Sequence, residues 1–217
     1  MVNLQKAGGV AALFETLVYI VGFGVMATLL NPGNAEGWSS AQKLDFVLER
    51  KTLFQTWTIF IYVAFGIALV VLTVALHDRL KDKAYDLMRI ATPFGLIWAG
   101  LVIASGMVAS VGLEAVAAIH PRDVTQATST WVAISAIQNG LGGGVEIVGG
   151  VWVLLISAAS FQSAVFPKVL GYLGIVVGLS GVLTVVPMLK DLAILFGISQ
   201  ILWFAWIGIV MLRRVHS

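Results

Sequence analysis

The stretch Gln138-Asn-Gly-Leu-Gly-Gly-Gly-Val-Glu146-Ile-Val-Gly-Gly150 gathers two amides, six glycines and one carboxylate inside a long apolar segment. A charge at bilayer depth costs about 2.5 kcal/mol or more, and a glycine weakens a helix by roughly 1 kcal/mol relative to alanine. The other helices are expected to pack around this segment. On an unbroken helix, Ser135, Asn139, Gly142, Glu146, Gly149 and Val153 follow at spacings of four and three and share one face. A polar stripe of this kind turns towards a partner helix or a wet cavity. The triplet Gly142-Gly-Gly144 admits two readings. Small residues let helices approach closely, and Gly140-x-x-x-Gly144 and Gly174-x-x-x-Gly178 fit that commoner pattern. Alternatively the helix is interrupted there and exposes backbone groups to a ligand.

Two further acids fall within apolar runs. Glu15 stands in the inner part of the first, and Glu114 near the outer end of the third. At a rise of about 1.5 Å per residue, Glu15 and Glu146 reach similar depths. They form either a protonatable pair, or a site for a cation or a polar ligand group, or acids hydrogen-bonded across helices as packing glue. Glu114 reads as an interface residue that reaches water. Gln200, close to Ser199 and Trp203 on the last run, is one more inward candidate. The candidate ligand-binding residues are therefore Glu15, Gln138, Asn139, Glu146 and Gln200.

Other chemistries lack their residues. No lysine falls inside an apolar run, which excludes a retinal Schiff base, and His77, His120 and His216 all stand at the ends of runs. Neither a bis-histidine haem nor a His-rich zinc site is expected. His120 with Glu114 would give a surface metal only two ligands. The absence of cysteine removes disulfides, thiolate ligands and iron–sulfur ligation. There is no Gly-x-Ser-x-Gly elbow and no His-Glu-x-x-His, and Gly140-Leu-Gly-Gly-Gly lacks the Gly-Lys-Ser/Thr ending of a phosphate loop. No cofactor or metal is expected, and an enzyme is the least favoured class.

The elements that position these residues follow from composition. The chain has 217 residues, 59% hydrophobic and 11% charged, against about 25% charged in soluble domains, so a water-soluble monomer is excluded. The apolar runs reach the roughly 20 residues that cross a hydrocarbon core. Without water to satisfy their backbones they must be helical. Six spans are expected, near residues 8–30, 53–76, 90–118, 125–160, 169–188 and 192–212, in one all-α domain over 1–217. Pro93 falls in the first turn of the third span. Between the first two spans, Ser39-Ser-Ala-Gln42 reads as a capping box opening a short amphipathic helix, with Leu44, Val47 and Leu48 on one face and Trp38 at the membrane interface. Lys6, Arg79, Lys81, Lys83, Arg89, Lys168, Arg213 and Arg214 oppose Lys43, Arg50, Lys51, Arg122 and Lys190. By the positive-inside rule both termini are cytoplasmic. A net charge of +2 with scattered basic residues gives no nucleic-acid footprint.

Several stretches carry a resemblance: Ala7-Gly-Gly-Val-Ala-Ala-Leu-Phe14, Leu53-Phe54 running into Leu76-His-Asp-Arg-Leu80, Gly150-Val-Trp152, and Phe166-Pro-Lys-Val-Leu-Gly-Tyr-Leu-Gly174. Together they resemble a bacterial family of six-span integral membrane proteins of uncharacterised function. The last stretch is similar to the family's Pro-Arg-x-Leu-Gly turn before the fifth span. The family's fourth span often holds a His-Asn-His-Gly cluster; Gln138-Asn139-Gly140 stands there without either histidine, so no metal role carries over. The resemblance implies the fold and a bacterial inner-membrane location, and supplies no activity.

Three functions remain in order of preference. The first is a membrane protein with a midplane polar pocket that binds or transports a small molecule, coupled to protons through its buried carboxylates. The second is a structural or accessory subunit whose glycines and acids only pack. The third is a membrane-embedded enzyme. The bilayer is the certain partner, and a homo-oligomer is compatible with the sequence.

Overall fold

A computed structural model describes residues 4–213, and every regular element among them is helical. Arg214 and His216 lie outside the described residues. The helices are α1 (Leu4–Ala27), α2 (Ser40–Glu49), α3 (Lys51–Thr58), α4 (Phe65–Leu80), α5 (Tyr85–Ile119), α6 (Val124–Gln138), α7 (Ile147–Ser163), α8 (Lys168–Leu183) and α9 (Leu192–Leu212). Two short π-helical stretches join them: Ile59–Ala64 continues α3 into α4, and Asn139–Gly143 continues α6. Five helical segments are long and apolar enough to cross a membrane: Leu4–Ala27, Lys51–Leu80, Tyr85–Ile119, Val124–Ser163 and Leu192–Leu212. Helix α8 is equally apolar but has only 16 residues, about 24 Å at a helical rise.

The helices pack antiparallel in sequence order, and α9 closes back on α1. The core is aliphatic and aromatic, built on Leu69, Leu72, Leu76, Trp98, Trp152, Phe196, Trp203 and Phe204. Many large apolar side chains point outward instead, among them Ile67, Val111, Val169 and Leu202. That is the pattern of a bundle whose solvent is lipid rather than water. Tight helix contact comes from glycine at one pair of helices above all. A Cβ on Gly150 of α7 would meet the Gly178 carbonyl of α8 at 2.6 Å. Gly178 thus serves packing, whereas nothing lies within 4 Å of Gly140, so the Gly140–Gly144 pair is not a helix contact.

Ser39 caps α2 by a capping box, with Gln42 returning a hydrogen bond to the Ser39 N–H. Leu44 of α2 buries itself against Val116 of α5 and Ala127 of α6, so this helix covers one end of the bundle. That end also holds the C-termini of α1 and α5 and the start of α9.

One sequence expectation needs correction, and one question left open is answered. Helix α5 starts at Tyr85, so Pro93 lies inside the helix rather than in its first turn. Its ring removes one backbone bond, a loss that membrane helices tolerate where neighbours pack closely. The fourth segment is not one helix. It breaks after Gly143, and the polar face from Ser135 to Val153 is therefore discontinuous.

Candidate functional site

The break is built from glycine and stitched by hydroxyls. Gly142 takes φ 118°, a conformation side chains rarely allow, and the chain turns out of the π-helical stretch there. The Gly144 and Val145 amides both donate to the Asn139 carbonyl. Ser105 Oγ of α5 donates to the Gln138 carbonyl at 3.1 Å. On the far side, the Glu146 amide donates to Thr184 Oγ1 at 2.8 Å, and that hydroxyl donates on to the Gly181 carbonyl at 2.7 Å. Helix α7 restarts with the Gly150 amide donating to the Glu146 carbonyl. An interrupted membrane helix is sustained only where other groups take up its freed backbone, and here they do.

Beside the break lies a cleft of about 270 Å³, bounded by the second half of α1, α3 with the π-helical stretch after it, the start of α4, α5 and the first half of α9. Gly142, Gly143, Gly144 and Glu146 form one wall. The other walls are mostly rings: Tyr19, Trp57, Tyr62, Phe65, Trp98 and Phe196. These rings hold one another edge-on, Phe65 against Trp98 at 5.7 Å and Tyr19 against Phe65 at 5.5 Å. Trp57 Nε1 donates to the Gly22 carbonyl at 3.1 Å and so pins α3 to α1. The rim is apolar and exposed, with Phe23 and Met26 on α1 and Ile194 on α9. Among the described residues, no lysine, arginine or histidine lines the cleft.

Both π-helical stretches border this cleft, contributing Tyr62 and Gly142 among others. Such widened turns are frequent at functional sites. In a regular α-helix, residues five apart point to different sides. The widened turn after Thr58 lets Trp57 and Tyr62 meet edge-on at 6.4 Å. The stretch is held against α5, where a Cβ on Gly106 would come within 2.6 Å of the Tyr62 Cβ.

The five sequence candidates land in different places. Glu146 lines the cleft half-buried, and its carboxylate has no hydrogen bond or ion pair to any described residue. Gln138 is half-buried with its side chain against the Tyr62 hydroxyl, next to the cleft but not in its wall. Asn139 is exposed and contributes its backbone to the break. Glu15 and Gln200 are fully buried, and neither carboxylate oxygen nor either amide atom finds a partner. The Tyr19 hydroxyl lies within electrostatic reach of both Glu146 and Glu15.

Glu114 is outside the cleft, accepting from Lys51 Nζ at 2.5 Å and Gln55 Nε2 at 2.8 Å, with over half its side chain in solvent. His120 turns to Asp45 at 2.8 Å instead of towards Glu114. The ring-lined wall was not among the sequence candidates. Tyr19 and Phe23 at helical spacing on α1 are its one local signal.

No curated protein and no solved structure matches the chain. Residues 7–212 do match the family described as domain of unknown function DUF4386. That match runs from the first turns of α1 to the last residue of α9 and takes in every element bordering the cleft, so the chain is a helical membrane protein belonging to this family.

Proposed function

We propose that the protein binds a small molecule in the cleft beside the broken fourth segment, with Glu146 as the polar anchor. One observation carries this reading: the interruption at Gly142–Gly144 brings an unpaired carboxylate to the wall of a cavity in an otherwise apolar bundle. Helices broken inside a membrane are tolerated where they line such a cavity. At about 270 Å³ the cleft sits at the lower edge of the roughly 300–1,000 Å³ usual for ligand sites, so its ligand is small. The exposed apolar rim of Phe23, Met26 and Ile194 favours entry from the lipid side. The molecule would reside in a bacterial inner membrane with six crossings and both termini cytoplasmic, α8 and the residues after it supplying the sixth.

Native mass spectrometry of the purified protein and of Glu146→Gln tests the reading. The wild type is expected to carry an adduct that the variant sheds. Identical spectra from the two proteins would remove Glu146 from any ligand-binding role and leave only the architecture.

A further inference from the structure

The cleft also constrains what it binds, if the binding reading above is right. Its single charged group is the Glu146 carboxylate, and no described side chain supplies a counter-charge. Tyr19, Trp57, Tyr62, Phe65, Trp98 and Phe196 line the same cleft, and the face of an aromatic ring carries negative electrostatic potential. An anion would meet an acidic side chain with no cation beside it, a repulsive pairing. A neutral apolar molecule would fill the space but leave the Glu146 carboxyl group without a hydrogen-bond partner, which is the costly arrangement. A cation satisfies the carboxylate and is attracted by the rings at the same time. The rings also demand an apolar body, because Tyr19, Phe65 and Trp98 form a packed hydrophobic surface.

We propose that the ligand is a small organic cation, a substituted ammonium with an apolar or aromatic portion, paired to Glu146 and caged by Tyr19, Trp57, Tyr62 and Trp98. Ring cages of this kind recognise alkylated ammonium groups in general. The same group reaches the cleft either as a free amine or as the head of a lipid, and the apolar rim admits both.

Phenyltrimethylammonium and its neutral isostere tert-butylbenzene differ in charge and hardly in shape. Each is titrated against the purified protein in phosphatidylglycerol nanodiscs, with bound fraction read by native mass spectrometry. The cation is expected to bind at least about tenfold tighter than the isostere, as a desolvated cation–π contact plus a carboxylate would give. Glu146→Gln should cut that difference to the part the rings supply while keeping the wild-type melting midpoint, and Glu146→Asp should retain most of it. Tyr62→Leu, which leaves the carboxylate in place, should weaken the cation several-fold and spare the isostere.

Repeating the titration in phosphatidylethanolamine nanodiscs separates the sources. Weakened binding there identifies a lipid headgroup, and unchanged binding a free amine. Equal affinity for the two probes, or a cation preference that Glu146→Gln leaves undiminished, overturns the assignment. Equal affinity would still leave small-molecule binding intact, whereas identical adducts on wild type and Glu146→Gln would remove that earlier reading on its own.

Discussion

Two glutamates within the bundle, Glu146 half-buried and Glu15 fully buried, have different surroundings, and the difference separates a site from a packing residue. Glu146 opens onto a cleft, where a ligand can complete its hydrogen bonds. Glu15 is sealed between α1 and its neighbours with both oxygens unpaired. An unsatisfied buried polar group costs about 1–3 kcal/mol, and replacing it by an apolar side chain of similar size is neutral or stabilising. Glu15→Leu is therefore expected to raise the thermal midpoint in detergent, by a gain on the order of 1–3 kcal/mol. A lowered midpoint would show that Glu15 is held by something the chain itself does not provide. Both acids are conspicuous in the sequence because a charge inside an apolar run is rare. What separates them is burial in three dimensions, which the neighbouring residues along the chain do not report.

Among the elements, the interrupted fourth segment does the positioning. Gly142 alone adopts the positive φ at the break, while Gly140 two residues earlier has open space around it. Gly142→Ala should cost about 1–3 kcal/mol because an L side chain is strained there. Gly140→Ala should be neutral or gain up to about 1 kcal/mol. Chemical denaturation of the two variants side by side checks the pair; equal effects would mean that the break relaxes. The glycine triplet made an interruption legible as one of two options, and close packing, the commoner option, is not what the triplet does. Packing glycines were legible at Gly174-x-x-x-Gly178, where Gly178 meets Gly150. The widened turn at Ile59–Ala64 left no local trace, since neither glycine nor proline marks it. It is paired with the close approach of α5 at Gly106, a contact between residues distant in sequence. Beyond the Tyr19–Phe23 spacing, the ring-lined wall was illegible for the same reason: its members come from five separate helices and the π-helical stretch between two of them.

At the scale of the whole molecule, the basic residues sort by end. Lys6, Arg79, Lys81, Lys83, Arg89, Lys168 and Arg213 belong to the end with the start of α1, and Lys43, Arg50, Lys51, Arg122 and Lys190 to the end covered by α2. This excess favours a cytoplasmic location for the first end by the positive-inside rule. The sorting holds only if α8 crosses, and α8 is the short element. Its 16 residues cover about 24 Å, against a hydrocarbon core of roughly 30 Å. The residues after it, including the 3-10 turn Pro187–Leu189 with Met188 almost wholly exposed, would have to complete the passage. The native chain has no cysteine, so single-cysteine labelling is free of background. Gln162→Cys and Asp191→Cys flank α8, are both exposed, and remove no positive charge that could reorient the chain. A membrane-impermeant maleimide applied to spheroplasts should label Asp191→Cys and spare Gln162→Cys, and inverted vesicles should give the reverse. Labelling of both from the same side would make α8 a re-entrant segment. The bundle would then have five crossings, and its two ends would lie on opposite sides of the membrane.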